Sequence, residues 1–303
     1  MSLKIFGFQA LWSPYFILIL IIFAILYFLI TIKARSYFKM SATLKKSEVT
    51  YFLLLIFMIY IIKGSPLDLM AHIMFTVHMI QMAVLILWLP ILLIKGIPWW
   101  VWNAVIEAPI VNKIFKILTN PMVATFVFIG TFSFYHIPFI MDYIKLNNLL
   151  HSLSTIVLFL SAFFMYWNLF EVIPGRKGIQ PLYKIGYIIL NTILITPACA
   201  LIIFSPTPLY ETYTNGEAWL KVMELCVPTT TLSGIALSGP ELFTNMKPIF
   251  DQQLGGVLMK ILQEIIFGIL VGKIARGWYR LEKANSHKIT TEALIEFQNN
   301  KLG

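Results

Sequence analysis

The chain has 303 residues, of which 59% are hydrophobic and only 12% charged. Soluble domains carry about 25% charged residues, so this composition excludes them and defines an integral membrane protein. The net charge of +9 then reflects basic loops on one membrane face, and nucleic acid is excluded as a partner.

Seven apolar runs read as membrane spans. The first, near residues 11–32, is followed by Lys33, Arg35, Lys39, Lys45 and Lys46. Charge after the run, with no small-residue cleavage site, marks a retained span with its N-terminus outside. A short second span near 49–62 ends before Lys63, and SPLDL makes a tight connection in which Asp68 can cap the third span, near 70–94. The segment IPWWVWNAVIEAPIVNKIFKILTN sets Trp99, Trp100 and Trp102 ahead of Lys113 and Lys116, the pattern of an interfacial helix over 98–118. Spans four, five and six follow near 121–143, 149–170 and 185–204, the last broken by Pro197. Residues 205–253, rich in Pro, Gly and Thr, form a long outer loop in which Glu217–Cys226 has the composition of a short surface helix. The seventh span lies near 254–273, and the polar tail beyond it, including a solvated His287, is cytoplasmic.

Of the 23 Lys and Arg, only Lys4, Lys63, Lys145, Lys221 and Lys247 fall outside in this scheme, while Lys260 lies within span seven. The expected fold is therefore an all-α integral membrane protein, a single polytopic domain of about seven transmembrane helices, N-terminus out and C-terminus cytoplasmic. Cys199 and Cys226 sit in no CxxC, which excludes a disulfide scaffold or zinc ribbon and leaves their pairing open.

Coordinating side chains at membrane depth are functional candidates. His72 and His78 fall in the outer half of span three, His136 at the outer end of span four and His151 at the outer start of span five, all on one side. On a regular helix His72 and His78 are about 9 Å and about 120° apart, so one ion cannot easily take both. His78 and Met82 share a face at i and i+4, as do Met74 and His78. Imidazole with thioether suits Cu(I), whereas Mg and Ca demand oxygen donors and zinc more usually brings Cys or a carboxylate. The candidate site is His78, Met82, His136 and His151, with His72 and Met74 secondary. Two other readings stay open: bis-His haem ligation between helices, and a metal-free network in which His and Met only pack and hydrogen-bond. Gln81, Gln253, Lys260, Gln263 and Glu264 are too polar to face lipid, and Lys260 with Glu264 at i, i+4 can form an internal ion pair. No nucleotide loop, Ser/His/Asp set or paired acidic site is visible, so no enzyme is expected.

At KGSPLDLM, HMIQM leading to WLPILLIKGIP, YHIP, LLH, TPACALIIFSPTPLY and DQQLGG the chain resembles the CtaG family, assembly factors of caa3-type cytochrome c oxidase. These motifs run in order from about residue 60 to 273 and cover most of the chain. The resemblance implies a multi-pass protein of the bacterial plasma membrane. It would help form the oxidase copper centre, with oxidase subunits and an extracytoplasmic copper donor as partners and no catalysis. His78, His136 and His151 are the matching positions. Many similar chains carry a second His where Met82 stands, and a further His where this chain has Ser154 and Thr155, so the ligand set does not carry over whole. A metal-free scaffold for oxidase subunits and a copper transporter are the alternatives. The inner halves of spans three to five, nearly pure Leu, Ile, Val and Phe, speak against transport.

Overall fold

The computed structural model describes residues 3–302 except 39, 177, 226, 228–231 and 233–238, with side chains as far as residue 286. Among the described residues fourteen α-helices occur, numbered in chain order. They are α1 Gly7–Trp12, α2 Pro14–Phe28, α3 Lys46–Gly64, α4 Pro66–Ile73, α5 Phe75–Ala83, α6 Leu89–Gly96 and α7 Trp99–Ile106. Then come α8 Pro109–Leu118, α9 Pro121–Tyr135, α10 Pro138–Lys145, α11 Asn148–Trp167, α12 Pro181–Phe204, α13 Gly216–Glu224 and α14 Pro248–Leu302. No strand occurs among the described residues. Among the described residues six helical stretches are long and apolar enough to cross a membrane, and the α8–α9 pair, bent by 77°, makes a seventh if counted as one span.

Several elements depart from the sequence expectation. The third span does not run unbroken from residue 70. Met74 is extended (φ −122°, ψ 128°), so α4 stops and α5 starts afresh. The four-residue row Met70, Met74, His78, Met82 is therefore bent at its second member. A π-helical turn, Val84–Trp88, joins α5 to α6 and widens the helix ahead of Pro90. Ser65, not Asp68, caps α4: its hydroxyl accepts from Leu67 N–H at 3.2 Å. The fourth span ends at Tyr135, because Ile137 is extended (φ −64°, ψ 125°) ahead of Pro138, which opens α10. The expected interfacial helix is two, α7 and α8, divided before Pro109. Pro197 does not break α12, which runs through it as one helix of 24 residues. Neighbouring helices make such a proline tolerable.

Helices α12 and α14 pack antiparallel, since Gln252, Lys260 and Gln263 bond in turn to residues 202, 196 and 192. Gly255 lets α14 approach α5: a Cβ there would stand 3.1 Å from Thr76 Cα and 2.9 Å from the Phe75 ring. Without a hydrophobic drive between helices in lipid, such close contacts and interhelical hydrogen bonds hold the bundle. The 205–253 region is more than loop. Trp219 and Met223 of α13 bury themselves with Phe6, Leu11, Leu69 and Ile73, making a second small core over one end of the bundle. At the opposite end Trp102 packs on Phe163 and Trp167 of α11 at 5.3 and 5.2 Å.

Candidate functional site

Four histidines gather at the end capped by the small core, as their positions in the spans predict. His72 comes from the last turn of α4, His78 from α5, His136 from the cap of α9 and His151 from the first turn of α11. They form two pairs. The rings of His72 and His151 lie 5.6 Å apart at 76°, and those of His78 and His136 lie 6.5 Å apart. His72, expected to point away from the site, instead stands beside His151, because the break at Met74 removes the regular helical phase between residues 72 and 78. Among the described residues no three His, Cys, Asp or Glu side chains converge on one point.

The first pair lines a polar cavity of about 300 Å³ with Lys63, Asp68, Ser13 and Asn148. The second is sealed: His78 is 1% and His136 2% exposed. Burial would normally demand partners, yet His78 Nε2, His136 Nε2 and both nitrogens of His151 have none. His136 Nδ1 donates to the Phe132 carbonyl at 2.8 Å, and His72 Nδ1 to the Asp68 carbonyl at 2.9 Å. A carbonyl only accepts, so in each ring the proton sits on Nδ1 and Nε2 keeps a free lone pair. That is the arrangement metal-ligating histidines adopt. Met82, one turn on from His78, is buried at 2%, whereas Met74 is the kink itself.

A shell of aromatic and charged groups, unread in the sequence, fixes these rings. Tyr135 stacks on His78 at 6.0 Å and its hydroxyl is buried without a partner. Tyr210 donates to the His136 carbonyl at 2.9 Å. Tyr213 donates to the Ala71 carbonyl at 2.8 Å and carries the buried Lys145 ammonium 4.0 Å over its ring, with Lys145 Nζ also donating to its hydroxyl. The signal lay in PLYETY, where Tyr210 and Tyr213 are three apart, but their chain distance from the histidines hid it.

The carboxylates are committed to structure. Asp251 accepts from the N–H groups of Phe75 and Thr76 at 2.6 and 3.1 Å and so caps α5 from another helix. Asp142 does the same for Glu211 and Thr212 at 2.9 and 3.1 Å. Asp68 binds Lys63 at 2.9 Å and Gln81 at 2.7 Å. Of the other polar candidates, Gln253 reaches the Ser205 carbonyl at 3.4 Å. Gln263 reaches Thr192, and Lys260 pairs with Glu264 at 2.7 Å. The expectation that all of them avoid the outside fails for Glu264, whose side chain is 51% exposed. Cys199 is free and buried, and Cys226 and the His287 side chain lie outside the described residues.

Among the described residues the chain is thus an all-helical bundle of membrane-spanning length, with lone-pair-bearing imidazoles enclosed at one end. The model of the cytochrome c oxidase caa3 assembly factor family matches residues 25–281, and the chain belongs to that family. No curated protein and no solved structure matches it.

Proposed function

We propose that the chain carries Cu(I) as cargo for the metal centre of the oxidase, holding it between the imidazoles at the histidine end. In this reading that end faces the outside of a bacterial plasma membrane, with the N-terminus out and the C-terminus cytoplasmic. The observation that carries it is the set of unpartnered buried nitrogens on His78, His136 and His151. Leaving a buried acceptor empty costs about 1–3 kcal/mol, which a ligand would offset.

The donor chemistry favours a soft monovalent ion. Imidazoles in pairs, with the Met82 thioether one turn from His78, suit Cu(I), which accepts few ligands. Zinc, calcium and magnesium would call on carboxylates, and Asp68, Asp142 and Asp251 are already engaged. The Lys145 ammonium, set over a Tyr213 ring that lies 6.3 Å from His78, repels a divalent ion twice as strongly as a monovalent one. Phe75, Tyr135 and Tyr213 crowd His78 at 5.9, 6.0 and 6.3 Å, where a haem would need open space. Buried apolar Leu85, Ile86, Leu87 and Leu92 beyond the site give an ion no path onward, which favours delivery over transport. The cavity at His72 and His151 is where an extracytoplasmic donor would hand over its ion.

The test is Cu(I) competition against a chelator on the purified, reduced protein. Wild type retains copper, and the His78→Ala/His136→Ala double variant loses at least about 100-fold in affinity, beyond the 10–100-fold typical of outer-shell changes. A wild type that takes no copper, or a double variant that binds as well, contradicts the reading and leaves the metal-free scaffold.

A further inference from the structure

The polar group of α12 and α14 runs from Gln263, buried at 1%, out to Glu264 on the outer wall. Lys260 Nζ lies 2.7 Å from Glu264 Oε1 and 2.9 Å from Thr196 Oγ1, and Gln263 bonds to Thr192. Glu264 stands ten residues after Leu254, about 15 Å along the helix, hence near the middle of the apolar stretch. Its side chain is nevertheless 51% exposed and that of Lys260 22%. One and two turns further on, Gly268 and Gly272 are exposed on the same face, and a Cβ at either would meet nothing within 4 Å. Ile261, Ile265 and Ile269 flank them, all about half exposed.

Acyl chains are a poor environment for that carboxylate, because hydrocarbon neither solvates charge nor accepts hydrogen bonds. Small residues beside it let another helix backbone come close. A second copy of this chain is a poor occupant. Two copies related by an axis along the membrane normal place each residue at the depth of its own mate. Glu264 would then meet Glu264, and Lys260 would meet Lys260. A different helix can instead bring a donor to the carboxylate and fill the furrow at Gly268 and Gly272.

We propose that this face docks a transmembrane helix of an oxidase subunit, one that presents a hydrogen-bond donor or a basic side chain at the depth of Glu264. The proposal rests on the family assignment and is independent of the copper reading. The surface lies on the outer wall of α12 and α14, whereas the histidines face inward elsewhere.

The experiment places a photo-crosslinking amino acid at Ile265 of the full chain in native membranes, with Ile22 on α2, 55% exposed, as the control. The expected product is a crosslink from 265 to an oxidase subunit and none from 22. Gly268→Leu, and the swap Lys260→Glu with Glu264→Lys, each lower the yield about tenfold, equivalent to about 1.4 kcal/mol of docking. Gly268→Leu enters open space and keeps the wild-type melting temperature, whereas the swap keeps the intrahelical pair, gives up the Lys260 bonds to Thr196 and Gln263 and stays folded at a slightly lower one. Crosslinks to lipid or a second copy alone, equal yields at 22 and 265, undiminished yields in both variants, or unfolding of both would overturn the proposal.

Discussion

Two sets of polar side chains, one at the histidine end and one on the outer wall of α12 and α14, have opposite deficits. At the histidine end the rings are enclosed but lack partners, with His78 and His136 buried and their Nε2 atoms unbonded. On the α12–α14 face Lys260 and Glu264 have partners but lack full enclosure, with side chains 22% and 51% exposed. Enclosed lone pairs call for a small ligand that fits between them. An exposed, satisfied ion pair calls for a surface that excludes lipid from around it. The same low dielectric that makes both situations costly thus points to an ion in one case and to a protein helix in the other.

Substitutions that separate the two regions follow in order of size. Asp251→Ala strikes the enclosed region hardest, because two buried N–H groups at the start of α5 lose a charged acceptor together. The expected loss is about 3 kcal/mol of stability in detergent, read as a lower denaturation midpoint, with weaker copper retention as His78 loses its fixed helix. Tyr210→Phe removes a single bond to the His136 carbonyl. It costs about 1 kcal/mol, and the same unfolding curve measures it. Lys221→Ala breaks a solvent-exposed pair with Glu217 on α13 and leaves both the melting temperature and copper binding unchanged. An Asp251→Ala protein as stable as wild type would show that the cap does not organise α5, and the enclosed region would lose its structural explanation.

Much of this was legible from residue order. The spans follow from hydrophobicity and length, and basic-residue placement put four histidines at one end, where the structure also gathers them. The pairing was not legible. It depends on the extended Met74, and nothing in DLMAHIMFTVHM marks a helix break, since there is neither Gly nor Pro. The break is sustained from far along the chain by Asp251, separated from Phe75 by 176 positions. Tyr210, Tyr213 and Lys145 escaped notice for the same reason: each reaches the histidines through tertiary contact alone. For Glu264 the reasoning that polar residues turn inward was sound for one chain in lipid. The i, i+4 geometry with Lys260 was foreseen, but the direction that the face points is set by how α14 packs on α12.

X-ray absorption of the Cu(I)-loaded protein tests the central claim most directly. The account predicts a low-coordinate ion with imidazole nitrogen scatterers, one thioether sulfur at most, and loss of the nitrogen signal in His78→Ala/His136→Ala. A spectrum without imidazole, or one unchanged in the double variant, would contradict it.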